Sequence, residues 1–521
     1  MSSESTPRSA SAGTPAAPAQ QIAAGYTVEG QALELGTVVI DGTADPAAQI
    51  RIPLATINRH GLVAGATGTG KTKTLQLIAE QLSAAGVPVL MADVKGDLSG
   101  LSRPGQSSDK ITARAKETGE TWEASAFPVD FLSLGTKGIG VPVRATIASF
   151  GPVLLSKVLG LNSTQESTLG LIFHYGEQQK YDLLDLKDLR AVISKLTSDE
   201  GKADLKSLGG VSAQTAGVIL RALVNLEAEG ADTFFGEPEL KPKDLLRFDD
   251  KGHGVISLLE LGDQAARPVL FSTFLMWVLS DLFKSLPEIG DVDKPKLVFV
   301  FDEAHLLFTD ASKAFLEQVE QTVKLIRSRG VGVFFCTQLP TDVPNEVLSQ
   351  LGARIQHALR AFTPDDQKAL TKTVRTYPKT DVYDLASALT SLGIGEAVVT
   401  VLSERGAPTP VAWTRLRSPR SLMAAIGDDA IGTAAKSSPL QATYGQTVDK
   451  ESAYEKIEAE KAEAAKAGPP ATAGSKSAPA PEKKPGWFKR FVNSRGFQTF
   501  LRALGTELIR SMLGGSGRRR R

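Results

Sequence analysis

Apolar residues along this chain follow two rhythms. Short apolar runs at residues 60–64, 87–92, Leu297–Phe301 and 331–336 are bounded by glycine or polar side chains. Runs of that length without polar alternation predict strands covered on both faces, the habit of a parallel sheet. Residues 73–85 instead space Leu75, Ile78, Ala79 and Leu82 at helical intervals, and 315–329 is amphipathic in the same way. Residues 353–359 and 397–402 predict two further strands. The order strand, glycine-rich turn, helix, strand over 60–92 is a βαβ unit. Its alternation along the chain predicts an α/β fold with a mainly parallel sheet.

Around that core the pattern changes. Residues 26–57 read as short β pieces (26–28, 36–40, 50–52) divided by Gly, Asp and Pro, a short N-terminal β region over 25–58. Residues 100–290 are mostly helical in pattern, a large insertion within a domain spanning 59–430. Residues 1–24, rich in Ser, Ala, Pro and Gln, predict a disordered arm. From 431 to 485 a Glu/Lys/Ala helix former gives way to a Pro/Ala/Lys linker. Residues 486–521 place Trp487, Phe488, Phe491, Phe500, Leu504 and Leu508 at helical spacing among Arg and Lys, a basic amphipathic tail helix.

Composition narrows the class. Of 521 residues 42% are hydrophobic and 22% charged, which is globular; the single cysteine, Cys336, excludes a disulfide framework or a multi-cysteine metal site. No apolar run reaches the length of a membrane span and no secretory leader is visible, so a soluble, cytoplasmic protein without a transmembrane segment is expected. The net charge of +1 hides an asymmetry: from Glu482 onward eleven basic residues face two acidic ones, leaving +9 there and −8 in the rest. That tail suits a partner or another subunit, a membrane surface, or nucleic-acid phosphates.

The chemistry is concentrated in four places. Gly65, Ala66, Thr67, Gly68, Thr69, Gly70, Lys71 and Thr72 fit G-x-x-x-x-G-K-[ST] between a strand and a helix, with Lys73 following. Such a loop turns backbone N–H groups around phosphates, its lysine reaches the β/γ oxygens, and Thr72 offers a hydroxyl to Mg²⁺. Asp302 and Glu303 end an apolar strand, where Asp302 would complete the Mg²⁺ site and Glu303 would polarise water for attack on the γ-phosphate of ATP. Gln338 ends the next strand, placed to sense that phosphate. Arg354 and Arg360 flank a further strand, and either suits an arginine acting across a subunit interface, with Arg354 favoured. Asp93, Lys95 and Asp97 follow the strand expected beside the P-loop strand. Cys336 reads as a packed apolar residue. The tetrapeptide Asp302-Glu303-Ala304-His305 reads as coincidence, because a two-lobed helicase would need a second lobe that the chain after Gln338 is too short to hold.

Together these motifs resemble the HerA/FtsK superfamily of P-loop ATPases, most closely its bacterial YjgR-like branch of HerA-like helicases. The residues carrying the resemblance are 60–74, 91–98, 297–307 and 326–338. The resemblance implies a RecA-like P-loop NTPase core, ATP and Mg²⁺ as cofactors, and ATP hydrolysis coupled to DNA translocation through a homo-oligomeric, hexameric ring. It also implies the strand-end role of Gln338 and an inter-subunit arginine at Arg354. Two departures stand out: the N-terminal β region is short for docking a nuclease partner, and Asp302 lies 231 positions after Lys71. The acidic body keeps a second reading open, a nucleotide-dependent switch whose effector is a protein reached through the tail helix.

Overall fold

The computed structural model describes residues 17–467 apart from 94–95, 137, 200, 202–203, 205–211, 262–267, 291, 310, 312 and 404. The first sixteen residues of the expected arm, the linker from 468 and the tail helix lie outside the described residues. The chain falls into two units, Met1–Ala462 and Glu463–Arg521, and the sheet and its covering helices belong to the first.

Among the described residues twelve strands form one sheet. In chain order they are β1 (Ala32–Ile40), β2 (Thr43–Pro53), β3 (Gly61–Ala64), β4 (Val89–Asp93), β5 (Val129–Leu134) and β6 (Val141–Val143). They continue with β7 (Ile256–Glu260), β8 (Leu297–Phe301), β9 (Val331–Thr337), β10 (Ala353–Gln356), β11 (Glu396–Thr400) and β12 (Ala412–Leu416). Their spatial order is β2-β1-β12-β11-β10-β3-β9-β8-β4-β7-β5-β6. The strands from β10 through β6 are parallel, and β11, β12, β1 and β2 close one edge antiparallel.

The uninterrupted apolar runs have a direct cause, because each strand feeds two cores. In β8, Leu297, Phe299 and Phe301 join one cluster while Val298 and Val300 join the other; β9 divides Val331, Val333 and Phe335 from Phe334 and Cys336. Helices α1 (Pro18–Ala24) and α2 (Lys71–Ala84) contribute to the second cluster through Ala19, Ile22, Leu75, Ile78 and Leu82. The first cluster is covered by the insertion helices Ile147–Val158, Ser163–Gln178, Leu186–Thr197 and Ala213–Ala228, and by Pro268–Ser285 and Lys313–Ile326. No described helix is long and apolar enough to cross a membrane.

Four details differ from the sequence expectation. The arm carries a helix at Pro18–Ala24, since Pro18 supplies a helical φ at the first turn and Ala19 and Ile22 share a buried stripe. Residues 26–28 form no strand; Tyr26 is instead buried, its hydroxyl donating to Val399 O at 2.9 Å and Pro410 O at 2.5 Å. The insertion is largely helical but also supplies β5, β6 and β7, which extend the sheet beyond β4. The charges of Asp130 and Glu260 disguise two of these as surface segments. Finally β4 does not lie beside β3, because β8 and β9 come between them. Strand adjacency across 200 residues leaves no mark on local periodicity.

Candidate active site

Parallel strands place their carboxyl ends along one edge of a sheet, where α/β proteins form ligand crevices. Here β3 ends in the glycine loop, β9 beside it ends in Thr337-Gln338, and β8 beyond that ends in Asp302-Glu303. The loop is tied down on several sides. Gly65 N–H donates to Thr337 O at 3.2 Å, Ala66 N–H to Ala358 O at 2.8 Å, and Gly395 N–H to Thr69 O at 3.1 Å. Gly65 sits at φ +153°, and a Cβ there would lie 2.5 Å from His357 Cβ, so only glycine fits. Gly70 caps α2 in the left-handed region, with no side-chain cap and no acidic residue in the first turn. The first-turn N–H groups are thus left for an anion, and the helix dipole favours one there. Lys71 Nζ lies across the loop, donating to Gly65 O at 2.7 Å and Ala66 O at 3.2 Å.

Asp302 and Glu303 are both buried at the end of β8. Glu303 adopts φ +48°, unusual for a residue with a side chain, and its N–H donates to Asp302 Oδ1 at 2.9 Å. Its carboxylate faces His305, Oε2 to Nδ1 3.4 Å, so His305, dismissed on sequence, is a neighbour of the candidate base. Cys336 links the strands: Ala304 N–H donates to its carbonyl at 2.7 Å. Burial pushes its thiol well up; Asp302 and Glu303 add to the rise and Lys71 opposes it. Gln338 is exposed and lines a groove of about 420 Å³ with His305, Phe308, Thr309, Leu339 and Asp342.

Further along the edge, Asp93 at the end of β4 accepts from Leu98 N–H at 2.8 Å. Its register partner on β7, Glu260, is pushed up to about 8 by burial, with Asp93 and Asp428 adding to it. Lys73 is held below the usual lysine range by burial, against the pull of Asp97 and Asp93. Lys95 lies outside the described residues.

Two arginines are placed differently from one another. Arg354 pairs with Leu62, two positions short of the end of β3, and its guanidinium donates to Thr376 O at 3.2 Å and Leu348 O at 3.5 Å. Arg360 is the one brought to the P-loop, with Nη2 3.3 Å from Thr67 O. His357 had no sequence signal beyond its place at a strand end. It is buried under the loop, its Nε2 2.9 Å from Thr74 Oγ1, and burial with Lys71 nearby pushes it down to about 4.

The donor set fits a triphosphate with Mg²⁺: an uncapped helix start, an ammonium within the loop, and a buried aspartate at the neighbouring strand ends. Among the described residues no three His, Cys, Asp or Glu side chains converge to hold a metal alone. Mg²⁺ bound by one or two protein groups and substrate phosphates needs no such cluster.

Residues 39–521 match the family described as "Helicase HerA-like C-terminal". The chain is 22% identical over 403 residues to the DNA double-strand break repair helicase HerA of Saccharolobus solfataricus, covering 74% of this chain and 70% of that one. It is 21% identical over 368 residues to HerA of Sulfurisphaera tokodaii, covering 70% and 66%. Among solved structures it is similar to the bacterial conjugative coupling protein TrwBΔN70, at 15% identity and a TM-score of 0.49, covering 78% of this chain and 94% of that one.

Proposed function

We propose that this chain, which belongs to the HerA-like helicase C-terminal family, is an ATP-hydrolysing motor that translocates DNA as an oligomeric, hexameric ring. The observation that carries the reading is the order of three neighbouring strand ends: the P-loop on β3, Gln338 on β9 and Asp302-Glu303 on β8. The triphosphate of ATP lies along residues 65–72, met by the first-turn N–H groups of α2 and by Lys71 once its ammonium leaves the Gly65 and Ala66 carbonyls. Thr72 and Asp302 would hold Mg²⁺, whose charge offsets that developing between the β- and γ-phosphates. Glu303 orients and deprotonates the attacking water. Its left-handed backbone and His305 hold its carboxylate, an outlier of the kind found at functional positions. Gln338 reports the γ-phosphate to the loop after β9, where Asp342 accepts from Thr337 Oγ1 at 2.6 Å and Leu339 N–H at 2.9 Å. Arg360, or Arg354 presented to a neighbouring subunit, supplies cationic help at the transition state.

DNA as the substrate rests on the curated relatives, which are named as DNA repair helicases. The test is steady-state ATP hydrolysis with and without duplex and single-stranded DNA, with Glu303→Gln as control. DNA should raise turnover several-fold, and Glu303→Gln should lower it by about 10²–10⁴ while ATP still binds. Turnover indifferent to every nucleic acid would refute the translocase and favour the protein-directed switch.

A further inference from the structure

Two large apolar side chains stand almost bare beside the P-loop. Phe362 is 86% exposed and Ile394 is 77% exposed, the two most exposed large apolar residues among those described. Both belong to segments bound to the loop itself. The segment leaving β10 gives Ala358 O to Ala66 N–H and Arg360 Nη2 to Thr67 O. The segment entering β11 gives Gly395 N–H to Thr69 O.

Neither exposure has a local explanation. Phe362 precedes Thr363, the N-cap of helix Pro364–Val374, a position whose apolar side chain usually packs against the fourth helical residue. That residue is Gln367, whose amide turns back to Ala361 O, so Phe362 has no apolar partner there. Ile394 is held in place by its backbone. Arg114 donates to Ile394 O at 3.1 Å and Gly395 O at 2.9 Å, and Gly393 N–H donates to Glu396 at 2.9 Å. A loop clamped this firmly displays its side chain by construction.

The direction of the nucleotide says what they face. Asp302, Glu303 and Gln338 place the γ-phosphate end toward β9 and β8, on one side of β3. The nucleoside end then extends to the other side, over β10 and β11, where both segments lie. Resting on the nucleotide-site reading, we infer that Phe362 and Ile394 form an apolar platform for the nucleobase, binding its flat face by stacking and contact. A π-face suits any base, so the platform adds affinity without selecting among purines.

The test is calorimetric titration of the full chain with Mg²⁺–ATP and, separately, with Mg²⁺–tripolyphosphate, which has the phosphates but no base. Phe362→Ser with Ile394→Ser should weaken ATP about ten- to a hundredfold and leave tripolyphosphate unchanged. GTP should weaken in parallel with ATP, and Phe362→Trp should keep wild-type affinity. ATP affinity unchanged in the double variant overturns the inference, as does an equal loss for tripolyphosphate, which would mean the loop itself had moved. A shift in oligomeric state without nucleotide, at unchanged ATP affinity, overturns it in favour of a contact with a second copy of the chain. Failure of the wild-type protein to bind either ligand would instead refute the nucleotide site, and the platform with it.

Discussion

Glu80, on the P-loop helix α2, allows a quantitative test of how the structure couples that helix to the distant segment after β12. Its buried carboxylate accepts from Arg420 N–H at 2.8 and 3.0 Å, from Ser421 N–H at 3.2 Å and from Ser421 Oγ at 2.9 Å. One turn earlier Gln76 donates to Ser421 Oγ and Leu422 O, both at 2.8 Å. Burial pushes Glu80 from the ordinary 4.5 up to about 7, outweighing the hydrogen bonds and Arg420, which pull it down. A carboxyl with a raised folded-state pKa holds its proton longer in the folded chain than in the unfolded one. Its contribution to stability is therefore full below about pH 4.5 and is lost as pH rises through about 7. At about 1.4 kcal/mol per unit the loss is about 3 kcal/mol. Glu80→Gln retains an acceptor and does not titrate. Urea unfolding of both proteins across this range, followed by tryptophan fluorescence, reads the difference. Trp122 reports on the same segment, its indole donating to Pro419 O at 2.9 Å. The wild-type protein should lose about 3 kcal/mol more than Glu80→Gln between these limits. Parallel slopes would refute the argument, because no buried titration would then be coupled to the fold.

Two further substitutions probe the site. Gly65→Ala drives a methyl against His357 Cβ at 2.5 Å on a left-handed backbone, and His357 is buried with no room to retreat. It should cost about 1–3 kcal/mol in unfolding free energy and weaken ATP binding at least about tenfold, both read by titration. Arg354→Ala removes donors to Thr376 and Leu348 carbonyls. It should cost about 1 kcal/mol with turnover little changed. A fall in turnover of about a thousandfold at unchanged stability would show instead that Arg354 acts across a subunit interface.

Local pattern alone determined much of this protein. The P-loop, the strand-ending Asp302-Glu303 and Gln338, and the apolar runs of β3, β4, β8 and β9 are all legible within a few residues, because a strand buried on both faces must be apolar throughout and a phosphate loop needs its glycines. Tertiary structure decided which strands are neighbours. Only the sheet order shows that β9 separates the P-loop from Asp302-Glu303, so that Gln338 stands between them, and that two strands lie between β3 and β4. It also separated two arginines of which the sequence favoured Arg354, bringing Arg360 to Thr67 and directing Arg354 to the carbonyls of Thr376 and Leu348. His357, Phe362 and Ile394 carry no motif, and His305 stands only in a tetrapeptide that reads as coincidence; what marks them is a partner or a missing one, and the partner of His357 is Thr74, 283 positions away along the chain. Periodicity records how a segment meets its own core, whereas adjacency between distant segments is set by packing the whole sheet.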